Sequence, residues 1–460
     1  MHHLTSTFSL GLAASLAVAS VTALWLSPCR ADPPAPSQLA APAGVPPTPT
    51  PVELAALRSQ GPAGLDALRA RYQAARGPLD MIPAWEDAID AVAGQRYASW
   101  SGLYWYTDLA IAEREADRLH RPILALRMLG DLRDDLSCAN SRLFRAALYA
   151  NTEVSAFLRD HFVLYWSSER PVPTVTIDFG DGRKLVRTTT GNSAHYVLDA
   201  RGNVLDVLPG LYAPSVFRAE LSASLALADQ VRGKPDAERV RATVAYHAAA
   251  IEATERAWER AQGAQYIHGS PYLLGATALA RAQRATMSKM IIEVPDLRAI
   301  GAIGPGEVPD DSAAWSAIGQ AVWGIQEPPG AQRDRDAARR AVPAPMVLDA
   351  HSRDLVSLLY NGGALARQDR DSGDTEARAA RTPVMLARFE ERIVADTALN
   401  QFTLRQDIHR HIVERGETRF EALNRWIYDV VFATPSSDPW LGLLPRTDFT
   451  GLPGDGVVMP

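Results

Sequence analysis

The sequence predicts an α/β domain at 101–231, followed by an α-helical C-terminal domain at 232–460. Three observations predict it. "RPILALRML" (Arg121 to Leu129) and "FVLYW" (Phe162 to Trp166) are short, continuous apolar runs, the first bounded by Pro122 and Gly130, as buried strands require. "HYVLDARGNVLDVLPG" (His195 to Gly210) alternates and turns at Ala200 to Asn203, which predicts a β-hairpin. After Gly233 the strand signals mostly disappear, and stretches rich in Ala, Arg and Glu take over at helical spacing.

Taken in order, the chain begins with an apolar, small-residue run, "FSLGLAASLAVASVTALWL" (Phe8 to Leu26), followed by "SPCRADPPAP". This predicts an export signal over 1–31, cut after Ala31. An uncleaved anchor is the alternative, since the run almost spans a bilayer. Lipidation at Cys29 is a third reading, weakened by Pro28 where a small residue is wanted. Residues 32–51 form a Pro/Ala-rich linker with too few large apolar groups to pack. In the N-terminal helical segment, 52–100, "VELAALRSQGPAGLDALRARYQAA" gives two amphipathic helices broken at Gly61-Pro62. The aromatic group Trp100, Tyr104, Trp105 and Tyr106 is expected to pack these helices onto the core, a recognition surface for a protein partner being the alternative.

Next, "AIAEREADRLH" reads as a helix before the first strand, and "SRLFRAALYA" and "TEVSAFLRDH" as helices between the strands. "APSVFRAELSASLALADQV" closes the domain as a helix, with Pro214 near its start. Long helices are expected over 236–290 and a helical block over 384–432, with Trp426, Tyr428, Phe432 and Trp440 anchoring the end of the chain.

A chain of 460 residues, 47% hydrophobic and 22% charged, has an ordinary soluble composition. Its net charge of −6 is mixed in sign along the chain, so it gives no footprint for nucleic acid and no cationic face for anionic lipid. Contact with a membrane is expected only through the N-terminal segment. Lysine occurs only at Lys184, Lys234 and Lys289, and with the wealth of Ala this reads as bacterial base composition. No Gly-rich phosphate loop with Lys-Ser or Lys-Thr occurs, and no cofactor is implied. His409 and His411 are two apart and point in different directions on a helix. Asp407 and His411 could share a face, but with no third ligand they read as a surface pair, and no metal site is assigned. His195, on a core strand, reads as a hydrogen-bonded core histidine.

Chemistry centres on "DLSCANSRLF" (Asp135 to Phe144). Export removes Cys29 and leaves Cys138 as the only thiol, either reactive toward a partner or buried and inert. A cysteine at a helix start meets unpaired N–H groups and the positive end of the helix dipole, which favour thiolate. One helical turn on, where a resolving thiol would sit, stands Ser141. The order helix, strand, cysteine loop, helix, short helix, strand, hairpin, helix, with the patterns "DLAIAEREADRLHRP", "TEVSAFLRDHFV" and "YVLDARGNVLDVLPG", resembles the secreted thioredoxin-like proteins.

That resemblance implies an α/β thioredoxin-like domain, with Cys138 as candidate nucleophile, Ser141 at the resolving-cysteine position and Ser193 at the cis-proline position. A serine cannot close a disulfide. Any enzyme here is expected to be a thiol–disulfide oxidoreductase-like protein limited to a mixed disulfide with a partner. At Ser193 a trans peptide is expected, because a non-proline cis bond is costly. Asp131, Asp134 and Asp135 are expected to crowd Cys138 and oppose its thiolate. Two functions stay open: thiol-dependent partner binding or a redox-related role in the periplasm or outside the cell, and a non-enzymatic scaffold that keeps the fold without the chemistry.

Overall fold

The computed structural model describes residues 47–75, 83–189, 191–263, 312–323, 347–362, 375–440 and 457. The export signal, Cys29 and most of the linker lie outside the described residues, as does the expected helical stretch after Gly263. Four helices come first: α1 (Pro51–Ser59), α2 (Pro62–Ala75), α3 (Pro83–Ala93) and α4 (Ala98–Ser101). Thr50 and Glu53 close a reciprocal capping box at the start of α1, satisfying N–H groups the helix itself leaves open. The aromatic group then locks these helices to the core. Trp105 is fully buried against Tyr149 and donates to Gln95 Oε1 at 2.7 Å, while Tyr104 donates to the Arg58 carbonyl at 2.7 Å.

Helix α5 (Leu109–Leu119) is capped by Asp108, whose carboxylate accepts the Ile111 N–H at 3.0 Å. It leads into β1 (Ile123–Leu129), where all seven residues are buried. A crossover follows through α6 (Ala139–Leu143), a π-helical turn (Phe144–Leu148) and α7 (Thr152–His161) to β2 (Val163–Arg170), parallel to β1. Strands β5 (Ser193–Leu198) and β6 (Val204–Pro209) form an antiparallel hairpin, and β5 also pairs antiparallel with β1. The sheet is thus four-stranded and mixed, in the order β2-β1-β5-β6. The hairpin turns at Gly202, whose φ of +76° is open to glycine without strain.

Between β2 and β5 lies an element absent from the sequence reading: a two-stranded ribbon of β3 (Thr174–Asp178) and β4 (Lys184–Thr188), turned by Gly180 and Gly182 at positive φ. It buries almost nothing along β3, so no apolar run marks it. Helix α8 (Pro214–Val231) closes the α/β region with Pro214 at its first turn.

The later helices are α9 (Asp236–Gly263), α10 (Ser312–Trp323), α11 (Ala350–Asn361), α12 (Thr375–Leu399), α13 (Arg405–Arg415) and α14 (Phe420–Trp426). A π-helical turn, Asn400–Leu404, joins α12 to α13, and another, Ile427–Val431, continues α14. Leu355, Ile408, Ile412, Leu423, Tyr428 and Phe432 of this part share one hydrophobic core with β1, β2, β5 and β6. Helix α13 packs on β6, and the Thr418 carbonyl accepts the Val204 N–H at 2.7 Å, so helix and loop cover what would be an open sheet edge. Among the described residues no helix is long and apolar enough to cross a membrane.

Candidate functional site

Strand β1 ends at Leu129, and Gly130, at φ +82°, turns the chain into the loop that carries Cys138. The Cys138 N–H returns to the Leu129 carbonyl at 3.2 Å, which sets the cysteine at the N-cap of α6. The loop is shaped from beneath by Arg145, itself 2% exposed. Its Nη1 donates to the Leu132 and Asp134 carbonyls and its Nη2 to Ser137 Oγ, each at 2.9 Å. Burial pushes this guanidinium below its ordinary pKa, with Tyr97 and Asp135 opposing the shift.

Cys138, Ser141 and Ser193 come together. Ser193, the first residue of β5, lies opposite Met128 of β1, and its Oγ is 2.9 Å from Cys138 Sγ. Ser141 Oγ is 3.4 Å from the sulfur, 2.8 Å from the Cys138 carbonyl and 2.7 Å from Ser137 Oγ. Among the described residues there is no cis peptide bond. All three side chains are 0% exposed.

The cover comes from two places. Asn140 donates to the Gly191 carbonyl and fixes the loop ahead of β5. Asn192 in that loop donates to Thr434 Oγ1 and accepts the Tyr428 hydroxyl on its carbonyl at 3.2 Å. Tyr428 and Thr434 are each 1% exposed, and burial holds the Tyr428 hydroxyl well above its usual pKa.

Two of the three aspartates before Cys138 have partners of their own. Asp131 is paired with Arg133, and Asp135 with Arg96 and the Tyr97 hydroxyl, so partners of their own match these two charges. The Asp135–Arg96 pair joins residues 39 apart, so spacing along the chain cannot show it. His195 is a core histidine, 2.7 Å from the Tyr149 hydroxyl and flanked by Phe144 and Phe217. Burial lowers its pKa to about 3.

A second buried polar cluster was not legible in the sequence. Asp206, in the middle of β6, accepts at Oδ2 from Ser224 Oγ at 2.7 Å, Tyr246 Oη at 2.8 Å and Arg405 Nη2 at 2.7 Å. Arg405 also meets Glu220 at 2.6 Å. Beside them His247 and His409 face each other, Nδ1 to Nδ1, at 2.6 Å, and His247 Nε2 is 3.1 Å from the Leu205 carbonyl.

The surface pair expected at Asp407 and His411 does not form, and His409 is drawn into the core. His409 is 0% exposed, whereas His411 stacks on Trp426 at 3.8 Å and Asp407 pairs with Arg410. The partner of His409 comes from α9, which no local spacing could reveal. Burial would raise the Asp206 carboxyl, but Arg405 overrides it and holds the group at about 2. Burial lowers His247 to about 4 and His409 well below its usual value, so both imidazoles are neutral near pH 7. The available signal is Asp206 itself, a lone acid inside the apolar run "VLDVLP".

Compared with known proteins, the chain matches no family model, no curated protein and no solved structure.

Proposed function

We propose that this chain is a thioredoxin-like protein acting outside the cytoplasm as a non-enzymatic, protein-binding scaffold, its thiol site closed by its own C-terminal segment. The sheet order β2-β1-β5-β6, with one parallel pair and an antiparallel hairpin, and the cysteine at a helix start after β1 support the thioredoxin-like part. Export rests on the apolar run and Ala31 of the sequence. One observation carries the scaffold reading: Cys138 is 0% exposed, and the loop leading to its neighbour Ser193 is tied down by Tyr428 and Thr434 through Asn192. Thiol–disulfide exchange needs a thiolate to reach a partner's sulfur, and a sealed sulfur has no such path.

A monothiol role is the second reading. It is favoured by the distances of Ser193 and Ser141 to Cys138 Sγ, which keep the sulfur at the start of the helix rather than lost in apolar packing. In that reading a partner displaces the segment around Tyr428 and is captured in a mixed disulfide with Cys138.

Labelling the full chain with a thiol reagent across pH separates the two. The scaffold reading expects slow reaction in native protein and complete reaction after denaturation. Rapid native labelling with a low apparent pKa would overturn it and establish the monothiol role.

A further inference from the structure

We propose that Asp206, His247 and His409 form a site for one divalent transition-metal ion of the zinc class, tying β6 to α9 and α13. Each residue offers one donor atom, and the three atoms lie within 4.8 Å of one another in a fully buried setting. Two imidazole nitrogens with one carboxylate oxygen suit zinc, cobalt or nickel, whereas calcium and magnesium take oxygen shells.

The surroundings are those of a held ligand set. His247 Nε2 is directed to the Leu205 carbonyl, which fixes the proton there and leaves the Nδ1 lone pair facing His409. Asp206 is oriented by Ser224, Tyr246 and Arg405 through Oδ2. Ligating side chains are usually steered by such partners. Charge points the same way: Arg405 with the two carboxylates it contacts, Asp206 and Glu220, sums to one negative charge, which a bound cation offsets.

Loading shifts one proton within the histidine pair, from His409 Nδ1 to His409 Nε2, an atom without a partner among the described residues in either state. With the His247 proton on Nε2, His409 must donate from Nδ1, which leaves His409 Nε2 as a buried acceptor with no protein partner. Two nitrogens on one tetrahedral zinc, at bond lengths of about 2.0–2.1 Å, stand roughly 3.3 Å apart. Loading therefore asks the rings to part by less than an ångström from their present 2.6 Å. Complete burial of all three donors keeps a substrate in bulk solvent from the ion, and a fourth ligand other than these residues completes a tetrahedral shell.

The test uses the full chain, stripped with a chelator and titrated with Zn2+ and Co2+. Expected are one equivalent bound, visible Co2+ absorption bands of a tetrahedral nitrogen–oxygen shell, and a rise in the thermal midpoint with either ion. His247→Gln and His409→Gln should each weaken binding at least about 100-fold, while Cys138→Ala and the double change His2→Ala, His3→Ala leave it unaltered. X-ray absorption of the loaded wild-type protein should show two imidazoles and no sulfur, which tests the site even where a histidine variant fails to fold. Absence of saturable binding, binding that survives both histidine changes, or sulfur in the shell would overturn the proposal and leave a hydrogen-bonded histidine pair only.

Discussion

Cys138 is defined by what surrounds it, and part of that is remote from it in sequence. Ser193 is brought to the sulfur by pairing of β5 with β1, and Tyr428 arrives from near the end of the chain. Truncating Tyr428→Ala removes a ring and a hydroxyl from this cover, so native Cys138 labelling should accelerate at least about tenfold in stopped-flow assays. An unchanged rate would mean that the tyrosine is not part of the barrier. His195 gives a second residue-scale expectation. Its folded pKa of about 3 lies below the ordinary 6.5, so the unfolded chain binds the extra proton. Stability from keeping it neutral is complete above pH 6.5 and is lost as pH falls toward 3. Asp90 runs the other way, since burial raises its pKa to about 6 and its contribution is lost as pH rises through that value. Comparing wild type with His195→Gln cancels the Asp90 term. Relative to the variant, wild type should lose about 2 kcal/mol between pH 7 and pH 4.5 in urea titrations. Parallel pH profiles would contradict the assignment.

At the scale of elements, the junction of β6 with α13 is the polar seam of an otherwise apolar core. Asp206 and Arg405 are 0% and 1% exposed at their side chains, so bulk solvent cannot replace either partner. Removing the guanidinium in Arg405→Met strands two carboxylates, one of them wholly buried. The expected cost is about 3–5 kcal/mol in denaturant unfolding. A loss below about 1 kcal/mol would show that the seam relaxes easily. The elements themselves were legible to different degrees. Strands β1 and β2, the β5–β6 hairpin and helices α5, α7 and α8 follow from apolar runs, alternation and helical spacing, because each buries a face that composition must supply. The β3–β4 ribbon was not legible, because it is held by backbone pairing and glycine turns while its side chains face solvent. The π-helical turn that places Arg145 under the cysteine loop leaves no mark in spacing either.

On the scale of the whole molecule, the α/β region and the C-terminal helices share one core, so the residues of 101–231 do not close on themselves. A fragment ending at Val231 would expose the face of β6 that α9 and α13 cover and leave Asp206 without Arg405 and Tyr246. Expressed alone, it should lack the dispersed NMR spectrum and cooperative unfolding of the full chain; a well-dispersed, monomeric fragment would refute this. By itself the sequence determined the order of helices and strands around Cys138, since periodicity and turn chemistry act over a few residues. It also determined that a serine, Ser141, and not a second cysteine stands one helical turn after Cys138, because residue identity is read directly. Only the tertiary structure decided that the thiol is covered, that Asp135 is paired with Arg96, and that His409 meets His247 beside Asp206. Those facts depend on contacts between segments tens to hundreds of residues apart, which burial and charge pairing select only once the chain has packed.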